Sequence, residues 1–387
     1  MSDRGKLVPE IRFRGFTDAW VQRKLGEAIK VNSGKDYKHL NDGDIPVYGT
    51  GGYMLSVDDS LSDIDAIGIG RKGTIDKPQL LSAPFWTVDT LFFMTPLCDN
   101  DLLFLYALSQ KIEWAKMDES TGVPSLSKVN IEKVDTCVPE YHEQTAIGCF
   151  FRTLDTTITL HKRKLDRLKE LKMAYLQQMF PQKDELVPRL RFAGFDGDWH
   201  ERKLGQIVER VTRKNTNLES TLPLTISAQH GLIDQTEFFD KQVASRDVSG
   251  YFLVKNGEFA YNKSYSNGYP WGAVKRLDRY EMGVLSTLYI VFTPTNIDSE
   301  FLVQYYETSN WHTEVAKRAA EGARNHGLLN IAPSEFFDTS LMIPTSTEEQ
   351  TAIGSFFRSL DRQILSQQTK LDKLKQLKQA YLKKMFV

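Results

Sequence analysis

The chain has 387 residues, with 49 basic against 50 acidic side chains, a formal balance of −1, and 41% apolar residues. That length allows two or three domains with real cores, and 22 Phe, 15 Tyr and 6 Trp exclude a solvated, disordered coil. The start, MSDRGKLVPE, lacks an apolar leader, no apolar run approaches the roughly 20 residues of a membrane span, and Cys98, Cys137 and Cys149 lack CxxC spacing. A cytoplasmic setting without membrane, disulfide framework or zinc knuckle is therefore expected, and the near-neutral balance counts mildly against nucleic-acid binding.

In chain order, the first feature is VPEIRFRGFTDAWVQRKLG at 8–26, which returns at 187–205 as VPRLRFAGFDGDWHERKLG with 11 of 19 positions identical. A first body follows at 27–125, built around YGTGGY and IGIGRKGTI. Its apolar alternation predicts strands at 45–48, 64–69 and 89–94, and its spacing predicts a helix over 101–117. Residues 143–180 then match 349–386 at 24 of 38 positions without a gap. Between these copies lies a second, dissimilar body at 206–330, carrying SAQHG and AYNKSYSNGYPWG. Strands are predicted there at 251–254, 258–261 and 284–292, and a helix over 299–319. The chain reads as a duplication. Its fold class is α/β: mixed α/β domains at 1–140 and 182–345, and two long helices at 141–181 and 346–387.

Both repeated helices carry an apolar stripe at three- and four-residue steps. The first runs through Phe151, Leu154, Ile158, Leu165, Leu168, Tyr175 and Met179; the second through Phe357, Leu360, Ile364, Leu371, Leu374, Tyr381 and Met385. His161, Lys172, Gln367 and Lys378 interrupt the stripes at matching places. This is a coiled-coil pattern, free of proline until Pro181. About 38 residues span roughly 57 Å, too long to bury against one compact domain. The expected partner of each helix is its duplicate, packed antiparallel, with the polar interruptions fixing orientation.

Catalytic and cofactor signatures are missing. GIGRKG at 68–73 has the spacing of a dinucleotide loop, but TIDKP follows where a helix should hold the pyrophosphate. Neither Gly5-Lys6 nor Gly34-Lys35 is followed by Ser or Thr, and no Pro-Pro pair, HExxH or G-x-S-x-G occurs. Recognition or assembly is expected, without cofactor or metal on this chain.

The bodies do hold residues suited to nucleic acid. Arg71 and Lys72 project from a glycine turn followed by Thr74, and Tyr48, Thr50, Gly51, Gly52 and Tyr53 form a second turn. Arginine grips guanine O6 and N7, or a phosphate, at two points. Ser125 and Lys128 add a hydroxyl and an ammonium. The second body offers Gln229, His230, Asn262, Lys263, Ser264, Tyr265, Ser266, Asn267 and Tyr269, then Arg324, Asn325 and His326. These amide, hydroxyl and cationic groups suit base edges and phosphates. Helical segments 143–180 and 349–387 together carry a net charge of +8, leaving −9 elsewhere, so low intrinsic DNA affinity without partners is expected.

The paired opening motifs, the paired EQTAIG…FF…LD…KL…LK…AYL…MF helices and the YGTGGY…IGIGRKGTI…PFWTVDTLFF series resemble the specificity subunit of type I restriction-modification systems over essentially the whole chain. The resemblance implies two target-recognition domains, each contacting half of a split site in double-stranded DNA. It implies helices that set the spacer and dock two methyltransferase (modification) subunits, to which motor-nuclease restriction subunits attach. S-adenosylmethionine, ATP and magnesium would belong to those partners. One departure is NHGLLNIAPSEFFDTSLMIPTSTEEQ, which matches its first-copy counterpart at 121–144 poorly. The rival readings are a duplicated coiled-coil scaffold without DNA specificity and an enzyme using the GIGRKG turn for a nucleotide.

Overall fold

The computed structural model describes residues 7–227, 231–239, 244–264, 269–319 and 329–387. It divides into two compact units, one formed by Met1–Lys164 with Gln367–Val387, the other by Leu165–Ser366.

The first unit runs through β1 (Val21–Lys24), β2 (Ile29–Ser33), β3 (Asp42–Gly49), β4 (Gly52–Val57), β5 (Ala66–Gly70), β6 (Gln79–Leu81), β7 (Trp86–Thr87) and β8 (Leu91–Pro96). Helices α1 (Leu102–Lys111) and α2 (Lys128–Glu132), β9 (Asp135–Val138) and the start of α3 (Tyr141–Gln178) follow. Its main sheet is antiparallel in the order β2-β8-β5-β6. The central strand β5, AIGIG, is buried at every position, as expected of a strand covered on both faces. A smaller sheet, β4-β3-β7, has its own core of Val47, Val57, Trp86, Val88 and Leu91. The ribbon β1–β9 closes the unit. The helix predicted over 101–117 is two pieces. Asp101 caps α1 by accepting from Phe104 N at 2.9 Å. Trp114 then turns inward, its indole N–H donating to the Ser109 carbonyl at 2.7 Å. That bond takes a carbonyl the helix would otherwise use, and a 3-10 turn at Trp114–Met117 replaces it.

The second unit contains the rest of α3, then β10 (His200–Lys203), α4 (Leu204–Ile207), β11 (Val208–Val211), β12 (Leu224–Ser227), β13 (Gly231–Asp234) and α5 (Gln235–Phe239). It continues with β14 (Phe252–Lys255), β15 (Phe259–Asn262), β16 (Ala273–Arg276), β17 (Met282–Leu285) and β18 (Ile290–Pro294). Helices α6 (Ser299–Tyr305), α7 (Asn310–Arg318) and α8 (Pro333–Phe337), β19 (Ser340–Ile343) and α9 (Thr347–Lys384) complete the chain. Its main sheet, β11-β18-β15-β16, repeats the order of the first unit. Instead of a three-stranded second sheet it has two two-stranded antiparallel ladders, the hairpin β12–β13 and the non-adjacent pair β14–β17. The strand predicted over 284–292 is divided, because the Ser286 carbonyl accepts from Tyr289 N at 3.1 Å and turns the chain. The helix predicted over 299–319 breaks as its first-unit counterpart does, with the Trp311 indole donating to the Tyr306 carbonyl at 3.2 Å.

Helices α3 and α9 are each 38 residues long. Within the first unit their segments run antiparallel: Phe150 meets Tyr381 at 5.0 Å, Asp155 pairs with Lys378, and Gln367 Nε2 donates to the His161 carbonyl at 3.0 Å. Within the second, Lys172 pairs with Asp361 at 2.6 Å and Tyr175 meets Phe356 at 5.0 Å. Along the stripe, Leu154, Leu165, Leu360 and Leu371 are buried, while Ile158, Leu168, Tyr175, Ile364, Leu374 and Tyr381 are half-buried. Four expected seam residues are shared with the globular cores, where Phe151 meets Phe386 at 5.7 Å and Phe357 meets Phe180 at 6.2 Å. Phe151 and Met385 belong to the core of the first unit, Met179 and Phe357 to that of the second. Their periodicity continues the stripe, but α3 ends at Gln178 and α9 at Lys384, so both methionines fall past the helices. Residue 178 precedes Pro181 by a margin that spares the helix its clash.

The recurring residues tie each helix to its globule. Arg12 donates to both Glu143 oxygens, each at 2.7 Å, and Arg191 to both Glu349 oxygens at 2.7 and 2.8 Å. Both carboxylates are buried, at 0% and 1% side-chain exposure. Gln144 and Gln350 accept from the backbone of Asp101 and Asp298, each at 2.9 Å.

Candidate nucleic-acid interface

In the first unit, β3 and β4 meet in a turn closed by the pair Gly49–Gly52. Gly52 has φ +110°, a conformation open to glycine and costly for residues with a Cβ. Tyr48 and Tyr53 flank it edge to face, 6.5 Å apart, and Tyr53 is 63% exposed. A second turn begins where β5 ends. Arg71 and Lys72 donate their backbone N–H groups to Thr90 O at 2.8 and 3.3 Å, and Gly73, at φ +98°, donates to Pro124 O at 2.8 Å. Lys72 also bridges to Ser125, and Leu126 N donates to Arg71 O at 2.9 Å. Thr74 closes this turn so tightly that a Cβ on Gly70 would lie 2.0 Å from its carbonyl.

The two turns abut, since a Cβ on Gly73 would stand 3.9 Å from Thr50 Oγ1. Three separated segments thereby converge: Tyr48, Thr50, Gly51, Gly52 and Tyr53; Arg71, Lys72 and Thr74; and Ser125 with Lys128. Arg71 and Lys128 both lie over the Phe92 ring, at 5.7 and 6.0 Å from its centroid. Among the described residues, no carboxylate pairs with Arg71, Lys72 or Lys128, so their charge is available to an anionic ligand. The 118–127 loop is organised by Asp118, whose Oδ1 accepts from Ser120 N, Ser120 Oγ and Ser125 N, each at 2.9 Å. The Ser125 and Ser120 backbone bonds hold its carboxyl below the usual aspartate range.

Part of this face carries no signature in the sequence. A groove of about 670 Å³ beside the hairpin tip is also lined by Asp36, Lys38, Met54 and Asp89. Polar loop residues and a lone methionine carry no motif, and only the fold brings them to the turns.

In the second unit, Lys263 follows β15 as Arg71 follows β5, and Leu329 N donates to Lys263 O at 3.0 Å as Leu126 N does to Arg71 O. The poorly matching segment therefore keeps the same anchor. Lys263 Nζ donates to the Ile331 carbonyl at 3.3 Å, and Ser264 N donates to Asn262 Oδ1 at 3.0 Å. Tyr269 is half-buried. Gln229, His230, Tyr265, Ser266, Asn267, Arg324, Asn325 and His326 lie outside the described residues.

Among the described residues, no group of three or more His, Cys, Asp or Glu is placed to hold a metal ion, and no helix is long and apolar enough to cross a membrane. The GIGRKG turn is followed by irregular chain and then β6.

Residues 17–170 match the family model of the type I restriction modification DNA specificity domain. No curated protein matches the chain. Among solved structures, the chain is similar to the S subunit of a type I restriction-modification system from M. genitalium. The TM-score is 0.67 at 16% identity, covering 98% of this chain and 99% of that one, which shows a shared fold. It also aligns with the HsdS subunit from Thermoanaerobacter tengcongensis, at TM-score 0.42 and 15% identity over 95% and 96% of the two chains.

Proposed function

We propose that this chain, which carries a type I restriction modification DNA specificity domain in residues 17–170, is the DNA specificity subunit of a type I restriction-modification system. The observation that carries the reading is the convergence, within that domain, of two glycine turns and the 118–128 segment around cations that have no carboxylate partner among the described residues. The glycine at 73 brings backbone close to a ligand, and Arg71 presents a planar fork that matches guanine O6 and N7 or a phosphate. Exposed Tyr53 and the nearby hydroxyl of Thr50 add stacking surface and hydrogen-bonding capacity.

In this proposal each unit reads one half of a split site in double-stranded DNA. The long helices set the non-specific spacer, since roughly 57 Å corresponds to between one and two duplex turns of about 34–36 Å. They also dock two modification subunits, through which restriction subunits join. The chain itself is non-catalytic, and S-adenosylmethionine, ATP and magnesium belong to the partners. With a formal balance of −1, it depends on those partners for much of the phosphate neutralisation.

The test is selection from a randomised duplex library by the chain assembled with its modification subunits. A bipartite motif with a fixed spacer is expected. Enrichment of no motif would leave the chain a scaffold and overturn the proposal.

A further inference from the structure

We infer that Gln79 is a positioning residue for base selection by the first unit: its amide holds the tip of the β3–β4 hairpin in register with the Arg71 turn. The inference rests on the reading of this face as the one that meets DNA. The hairpin tip and the Arg71 turn belong to different sheets, β4-β3-β7 and β2-β8-β5-β6, so no common ladder fixes one against the other. Gln79 opens β6, opposite Gly68 of β5 and three residues before Arg71 in the partner strand's direction. From there its Nε2 donates to two carbonyls of the hairpin tip, Gly49 O at 3.0 Å and Thr50 O at 3.2 Å. Both bonds are part-buried. The tip lies against the turn, with 3.9 Å separating Thr50 Oγ1 from the place a Gly73 Cβ would take, and the Gln79 amide adds two directed hydrogen bonds to that contact.

A carboxamide suits the task because one nitrogen carries two N–H donors, one for each carbonyl. A side chain of the same reach without a donor leaves those carbonyls to water and lets the tip drift. Recognition groups work within a tolerance of about 0.5 Å, so drift of the tip against Arg71 costs discrimination before it costs stability. The second unit handles the corresponding place differently. Lys275, opposite Ala260 and so three residues before Lys263 across the pair, has its ammonium paired with Glu307. Among the described residues no clamp of the Gln79 kind acts there, and the second half-site should be indifferent to the Gln79 side chain.

Two variants of the full chain, assembled with modification subunits, test this. Gln79→Met keeps length and volume without a donor; Gln79→Lys, one bond longer and flexible, supplies donors for both carbonyls. With Gln79→Met, library selection should show the preference at one or two bases of a single half-site flattened about tenfold, the loss expected of a spoiled base contact. The other half-site, assembly and melting temperature should stay as in the wild type, and Gln79→Lys should restore most of the preference. Wild-type preference at both halves with Gln79→Met would overturn the inference, as would equal flattening of both halves with a lowered melting temperature. Should Gln79→Met fail to assemble, Gln79→Asn, one methylene too short for both carbonyls, takes its place with the same expectations. If the wild-type complex itself selects no bipartite motif, the DNA-recognition reading falls, and this inference falls with it.

Discussion

The two units share a frame and differ in what is mounted on it. Each has a four-stranded antiparallel sheet of the same order, an arginine clamped on a buried glutamate at the start of a long helix, and a tryptophan that cuts a helix short. Each anchors the segment after its third-in-line strand through a leucine N–H on the carbonyl of a cation, Arg71 or Lys263. The mounted parts differ in fold. The first unit has one hairpin joined by a parallel strand, while the second has a hairpin and a separate two-stranded ladder over a core that includes Leu224, Leu232, Phe252 and Leu285. The frame residues are those whose bonds are buried and leave no freedom of geometry. Parts outside those bonds are free to change shape, which is what two readers of different sequences need.

The largest expected effect tests whether the frames are equivalent. Arg12→Ala and Arg191→Ala each leave a buried carboxylate without its cation, at a cost of about 3–5 kcal/mol for the unit concerned. Denaturant melts followed by amide exchange should show the damage confined to one unit in each variant, with similar size. A large loss for one and none for the other would break the equivalence.

A second prediction separates the mounted parts. Arg71→Ala should cost about 1–3 kcal/mol at one base position of a single half-site. Lys263→Ala should cost less: each side chain donates to one carbonyl, Asp89 O at 3.4 Å for Arg71 and Ile331 O at 3.3 Å for Lys263, but the guanidinium fork keeps further N–H groups for two-point contact with a base, which an ammonium lacks. Binding measurements on half-site mismatches would distinguish them, and equal losses at both halves from Arg71→Ala would signal misfolding instead.

A third concerns the helix pairs. Lys378 with Asp155 and Lys172 with Asp361 are equivalent bridges, with both lysines 15% exposed. Double-mutant cycles should give about 0.2–1 kcal/mol for each. Asp361 also accepts from Gln304 at 3.1 Å, so Lys172→Met should be the milder of the two lysine replacements.

These contrasts show what the sequence could disclose. The repeated Arg of RF and the repeated Glu-Gln of EQTAIG stood out by recurrence, and the structure supplies their reason in a buried ion pair and a capped helix start. The stripes were legible by period, but period alone cannot show where an interhelical seam runs on into a globular core, as it does at Phe151 and Met179. The turns around Gly52 and Gly73 were legible because positive φ leaves a glycine signature. The equivalence of the two loops after the sheets was hidden: Leu126 and Leu329 make the same bond, yet α2 begins two residues after the first and α8 four after the second. Gln79 gave no signal at all, since a polar residue opening an edge strand looks like any solvated one.

The smallest expected effect is a pH dependence of the first unit's loop. Asp118 accepts three hydrogen bonds that favour its charged form, and its carboxyl accordingly lies below the ordinary range. A depressed folded-state value means that the stabilisation is complete above the unfolded carboxyl's pKa, roughly pH 4, and disappears as pH falls through the lower folded value. Exchange protection at Ser120 and Ser125 should therefore hold through neutral and mildly acidic solution and fade only below that range. Asp118→Asn keeps an acceptor oxygen but cannot titrate, so its protection should be weaker at neutral pH and flat in acid. Asp118 is exposed, so the change should reach the loop and leave the melting of the unit nearly untouched. Loss of protection near pH 6 would mean that some other group holds the loop, and with it the Ser125 end of the face that Arg71 and Lys72 occupy.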